Sequence, residues 1–248
     1  MKRILLLLLG MLVALMAISQ PTATEIIEAA DQRMQGESNR GTMKMSIVRP
    51  KWTRDITMKS WAKGTDYSLV LITAPARDKG TGFLKREKEL WNWQPTIDRV
   101  IKLPPSMMMQ SWMGSDFTND DLVRQSSIVN DFEHTLEKDT TMMGYDVWKI
   151  VLIPKPQAAV VWGKIEAYIS KEKYFQLIFK YYDEDQYMVN TLNFSEIRMM
   201  GDREIPTRME MIPAENPEQK TVVVYEDFEF DVELSDQFFS LQNLKRLR

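Results

Sequence analysis

The chain has 248 residues with 35 acidic against 32 basic side chains, a formal net charge of -3, one histidine and no cysteine. Without thiols it forms no disulfide, and with one histidine it lacks the ligands of the usual zinc sites. An acidic balance also disfavours nucleic acid, whose phosphates call for a basic face.

The first nineteen residues read as a secretory signal peptide. Lys2 and Arg3 supply the positive start, Ile4 to Ala17 the apolar run, and Ala17-Ile18-Ser19 a small-x-small exit, with cleavage expected before Gln20. The apolar run is about 14 residues, short of the roughly 20 that span a bilayer. The expected mature chain, residues 20–248, is a single exported domain, periplasmic and soluble. No lipobox cysteine follows the signal, so the protein is not expected to be a lipoprotein itself. The basic tail Lys245-Arg246-Leu247-Arg248 reads as a solvated terminus.

Thr22-Ala23-Thr24-Glu25 has the form of a capping box, which predicts a helix carrying Ile26, Ile27, Ala30 and Met34 on one face and stopping at Gly36. From Thr42 the apolar period changes to two. Met43, Met45 and Ile47 alternate with polar residues, as do Ile56 and Met58, and then Tyr67, Leu69 and Leu71. Pro50-Lys51-Trp52 and Ala62-Lys63-Gly64-Thr65 supply the turns, so the pattern is an antiparallel meander. Strand-like runs continue at 82–85, 89–93 and 97–103. After a break they resume at 132–135, 145–153, 160–169, 174–182, 188–198, 203–212 and 221–230. Breaks such as Pro154-Lys155-Pro156 and Gly201-Asp202 separate them. The expected fold is mainly β (α+β): about eleven strands in a curved antiparallel sheet or barrel. Ser235 opens a last short helical turn whose Phe238 and Phe239 are expected to plug an end of the sheet.

Between Pro104 and Leu122 the chain carries Met107, Met108, Met109, Trp112 and Met113, then Gly114 and an acidic turn with Asp116, Asp120 and Asp121. Methionine is unbranched and polarizable, so a surface rich in it repacks against apolar guests of differing shape. Copper is the rival reading, since thioethers favour Cu(I), but the cluster is interleaved with tryptophan and not histidine. Plain core packing is the other. Enzymatic arrangements fare worse: His134 shares a face with Phe132 and Leu136, no Gly-x-Ser-x-Gly elbow accompanies it, and Gly80-Thr81-Gly82 lacks the rest of a phosphate or dinucleotide loop. The acids do not follow the calcium-loop pattern; Asp116 or Thr118 reads instead as the cap of a short helix. No cofactor is expected.

The run I72-T-A-P-A-R-D-K-G-T-G-F-L-K, then L90-W-N-W-Q-P, R99-V-I-K and M113-G-S-D-F-T-N-D-D-L resembles divergent members of the LolA/LolB superfamily, outer-membrane lipoprotein-sorting proteins. The resemblance implies an incomplete barrel with a helical lid over an apolar cavity that receives the acyl chains of a lipoprotein or lipid. It implies a periplasmic carrier, not an enzyme, loaded by an inner-membrane exporter of ABC or RND type and working as a monomer. The alternative is an accessory module of such an exporter that carries no cargo. Candidate lining residues are Trp91, Trp93, Met107, Met108, Met109, Trp112 and Met113, with Arg54 or Arg99 near the mouth.

Overall fold

The computed structural model describes residues 20–87, 89–123, 127–158 and 160–247. The expected signal peptide and Arg248 lie outside the described residues.

The first helix, α1 (Ala23–Gln35), begins and ends where its sequence signals lie. The Glu25 amide donates to the Thr22 hydroxyl at 3.2 Å, and the Thr22 amide donates to Glu25 Oε2 at 2.7 Å, so two of the orphan amides at the helix start are satisfied reciprocally. Gly36 ends it at a φ of 62°, a conformation that costs glycine little. Ala23, Ile26, Ile27, Ala30 and Met34 are buried, and the opposite face is wet.

Three meander strands follow, β1 (Ser38–Arg49), β2 (Trp52–Lys63) and β3 (Tyr67–Ala74). Then come β4 (Gly82–Arg86), β5 (Glu89–Gln94) and β6 (Arg99–Lys102). The second half holds β7 (Phe132–Leu136), β8 (Thr140–Met142), β9 (Tyr145–Pro154), β10 (Lys164–Ser170) and β11 (Gln176–Tyr182). Three long strands complete it: β12 (Met188–Met200), β13 (Arg203–Pro213) and β14 (Lys220–Phe230). Among the described residues there are thus fourteen strands in one antiparallel sheet, against the eleven or so expected. They run in the order β6-β5-β4-β3-β2-β1-β14-β13-β12-β11-β10-β9-β7, with β8 paired to β9 outside that path.

The sheet does not close. Its edge strands β6 and β7 are consecutive in the chain, so residues 103–131 pass from one edge to the other. That segment contains two short helices, α2 (Asn119–Val123) and α3 (Ser127–Asn130).

Some sequence boundaries moved. Ile97, expected to open a strand, ends a 3-10 turn begun by Pro95, whose fixed φ and missing N–H suit a turn better than a ladder. Val160 to Trp162, expected in a strand, instead precede β10 as irregular chain.

Alternation sends each strand's side chains to two faces. Met45, Ile47, Ile56, Met58 and Ile72 join α1 in the main apolar cluster. Leu69, Leu71, Leu84 and Trp93 point the other way, into a second cluster with Phe239 and Leu244. The apolar run in β3 is therefore continuous because both of its faces are covered. The second cover is the C-terminal segment, a 3-10 turn (Asp236–Phe238) followed by α4 (Leu241–Arg246), which Ser240 caps by accepting from the Asn243 amide. Phe238 and Phe239 thus lie against the outer face of β3 to β5. Phe239 is fully buried while Leu241 is 38% exposed. Phe239→Ala should therefore destabilise the chain by about 3–5 kcal/mol in urea unfolding, and Leu241→Ala by about 0.5 kcal/mol or less.

Candidate functional site

Two hollows lie on the inner face of the sheet. The first is a cavity of about 80 Å³ beneath α1 and α2; its walls include Met34, Phe132, Trp162, Phe179, Leu192 and Phe194. The second, of about 70 Å³, lies against β1, β2 and β14, with Met43, Met45, Met58, Val70, Val223 and Phe228 in its walls. Gln35, Phe117, Met209 and Tyr225 line both, so the two are halves of one trough partitioned by these side chains.

The lid over the trough is built by the motif at 113–122. Backbone bonds from the Trp112 amide to the Phe117 carbonyl (2.8 Å) and from the Ser115 amide to the Trp112 carbonyl (2.9 Å) fold 112–117 into a tight loop. Met113 and Gly114 both have positive φ there. Trp112 and Phe117 are buried, and Trp112 rests on Phe83 with ring centroids 5.2 Å apart.

Each acid of the motif with a resolved bond fastens something. Arg49 of β1 grips both oxygens of Asp116 at 3.0 Å through its two terminal nitrogens. Thr221 of β14 donates to Asp116 Oδ2 at 2.7 Å and accepts from the Asp116 amide at 2.9 Å. Thr118, the other expected cap, does cap α2: it accepts from the Asp121 amide at 3.1 Å while Asp121 accepts from the Thr118 amide at 2.8 Å. The second oxygen of Asp121 accepts from the Trp162 indole at 3.0 Å and so ties α2 to the opposite wall. Burial pushes the Asp121 carboxyl up against the pull of these hydrogen bonds. Arg54 donates to the Met113 carbonyl at 3.0 Å and to Asp78 at 2.7 Å. It is thus a fastener of the lid loop; Arg99 stands on the edge strand β6, exposed.

The seven sequence-proposed lining residues fall in different places. Trp112 lines the second hollow, and Met113 packs on the main cluster. Met107 and Met108 form a small cluster with Leu90 and Leu103 at the edge of the sheet, and Met109 is 61% exposed. Asn119 holds this methionine loop through the Met107 carbonyl at 2.9 Å and the Gln110 carbonyl at 2.9 Å. Trp91 and Trp93 lie on the outer face under the C-terminal segment, where Lys245 stands 5.4 Å from the Trp93 ring. Most of the trough wall comes instead from β1 to β3, β10 to β14 and α1, at positions whose alternation marks a buried face without saying which face it is.

His134 joins structure to structure. A backbone carbonyl only accepts, so Nε2–H donates to Ile128 O at 2.7 Å and Nδ1 accepts from the Thr24 hydroxyl at 3.0 Å. Among the described residues no group of three or more acidic or histidine side chains is placed to hold a metal ion.

Two measurements test this account. Arg49 and Asp116 have side chains 14% and 9% exposed, whereas the surface pair Arg40–Glu229 is 54% and 48% exposed. Asp116→Ala strands a nearly buried guanidinium and should cost about 3 kcal/mol or more in urea unfolding; Glu229→Ala should cost under about 1 kcal/mol. Asp31 on α1 faces the first hollow, and burial raises its carboxyl from 3.8 to about 7. Between those values the folded chain binds the proton that the unfolded chain has lost, so the contribution of Asp31 to stability falls as pH rises through 7. Asp31→Asn should raise the urea midpoint at pH 8.5 and leave it unchanged at pH 4.

The comparisons with known proteins agree with this geometry. No curated protein matches the chain. A family model described as that of an uncharacterized protein matches residues 64–246. Among solved structures, an outer membrane lipoprotein-sorting protein domain from Vibrio parahaemolyticus superposes with a TM-score of 0.80 at 22% identity, covering 90% of this chain and 98% of the other. A DUF1329 family protein from Desulfovibrio piger gives 0.82 at 23% identity, covering 90% and 97%. A LolA superfamily protein from Nitrosomonas europaea gives 0.79 at 20% identity, covering 90% and 100%. The model match spans well over half the chain, so the chain belongs to that family, and its fold is that of a divergent LolA-like protein.

Proposed function

We propose that this protein is a periplasmic carrier that shelters the acyl chains of a lipoprotein or lipid in the trough and passes them from an inner-membrane exporter to the outer membrane. The observation that carries the reading is the pair of adjoining apolar hollows beneath α1 and the lid loop. An exposed acyl chain costs about 0.8 kcal/mol per methylene, so a carrier needs a lined, water-poor channel. Loading opens the lid by releasing the Trp162–Asp121 bond, and Trp112 and Met113 then meet the guest first. Met107, Met108 and Met109 border the opened mouth with side chains that adapt to different chains. Trp91 and Trp93 would take part only if the C-terminal segment lifted from the outer face. No helix of the described residues is long and apolar enough to cross a membrane. The reading assigns no catalytic step, and the energy for loading comes from the exporter, which is of ABC or RND type. The carrier works as a monomer.

The test is native mass spectrometry of the protein taken from its own periplasm, paired with uptake of a fluorescent acyl probe by the delipidated chain. Co-purifying lipid or lipoprotein and saturable uptake are expected. Met209 borders both hollows, so Met209→Trp fills them; it should reduce uptake at least ten-fold while shifting the urea midpoint by no more than an overpacked core position does, about 1–3 kcal/mol. An empty protein in stable complex with an exporter would instead favour the accessory module.

A further inference from the structure

The second hollow contains two buried polar groups that the fold leaves unserved. Ser60 is 8% exposed and Trp112 1% exposed. Both line this hollow, and among the described residues neither the Ser60 hydroxyl nor the Trp112 indole nitrogen has a hydrogen-bond partner. Asp116, Thr118, Asp121 and Asn119 of the neighbouring motif, by contrast, each have a partner. A buried donor without an acceptor is costly, and native interiors keep few of them. Ser60 is also out of place by pattern. It stands on the inward face of β2 after Ile56 and Met58, where an alanine or valine would pack as well, and its cross-strand neighbours are Gly41 and Val70.

An indole N–H only donates, and a serine hydroxyl can donate as well, so the ligand group they suit is an acceptor. Its charge follows from the walls. Among the described residues no lysine, arginine or histidine lines the second hollow, and a carboxylate stripped of water there would lack a counter-charge from them. Met43, Met45, Met58, Val70 and Val223 in its walls suit a hydrocarbon chain, and Gln35, Asn39 and Ser68 complete the polar lining.

We propose that this hollow is a carbonyl subsite in which Trp112 and Ser60 donate to the neutral carbonyl oxygen of an ester or amide that joins an acyl chain to the rest of its amphiphile. The inference rests on the carrier reading and names its ligand class: an acylated ester or amide, in preference to a free fatty acid or a bare hydrocarbon. The lid loop that carries Trp112 thereby senses whether an acyl linkage is seated, because the indole gains a partner when the guest arrives.

The experiment measures displacement of a bound apolar dye from the purified, delipidated chain by methyl dodecanoate, tridecane and dodecanoate. The parent chain should bind the ester roughly ten-fold more tightly than the hydrocarbon of equal length, since the ester alone satisfies the two donors. The carboxylate should bind weakest. Ser60→Ala, which changes little volume, should cut the ester preference several-fold and leave tridecane binding unchanged; Trp112→Phe should do the same wherever it folds. Equal binding of ester and hydrocarbon, or a preference that Ser60→Ala leaves intact, overturns the subsite while the carrier stands. Tightest binding by dodecanoate overturns the neutral-carbonyl assignment. Failure of all three ligands to displace the dye removes the carrier reading, and the subsite with it.

Discussion

A sheet that curls without closing has two edges of unpaired backbone, and everything distinctive about this molecule follows from how those edges are handled. Strands β6 and β7 end the sheet and are joined by one stretch of chain. That stretch has no ladder to hold it, since its helices are five and four residues long and too short to stand alone. It is held instead by side chains from the middle of the sheet. Arg49, Arg54 and Thr221 reach it from β1, β2 and β14, and Trp162 reaches it from the far wall. The lid is thus pinned to the floor of the trough more than to its rims.

The curvature has its own local cause. At Gly41 a Cβ would stand 2.1 Å from the Phe228 ring, so only glycine lets β14 approach, and the β1–β14 register slips between Thr42 and Met43 just beyond. A bulge of this kind bends and twists a strand. Stability is then supplied from outside the trough. The Phe239–Leu244 cluster and the Val147–Phe175 cluster both lie apart from the main one. A protein interior ordinarily packs with few voids, and each void costs stability. Burying both faces of β3 and β4 offsets that cost, so the inner face can stay partly unfilled.

How much of this was legible beforehand depended on the range of the interaction. The capping box at Thr22, the stop at Gly36 and the alternation of Met45, Ile47, Ile56 and Met58 are local, and each emerged where its residues placed it. The fold class was legible too, from period and turn chemistry together with the motifs between Ile72 and Leu122. Face was not. Trp91 and Trp93 share one side of β5, but nothing within six residues says that a segment from 235 onward covers that side. The partner of Asp116 was equally hidden, because Arg49 lies 67 positions away. Thr140–Met142 was missed as a strand because three residues are too few to show a period.

The same separation clarifies what a polar residue in an apolar trough is for. Asp116, Thr118 and Asp121 look like chemistry in the sequence, yet in the structure they bond to the chain itself. Asp31 differs, since burial raises its carboxyl to about 7. A wall that loses its charge on desolvation tolerates a hydrocarbon neighbour better than a fixed carboxylate does. Ser60 and Trp112 differ again, because among the described residues their donors meet no acceptor. In an apolar trough, the polar groups left over after the architecture is satisfied are the ones with room to choose a guest.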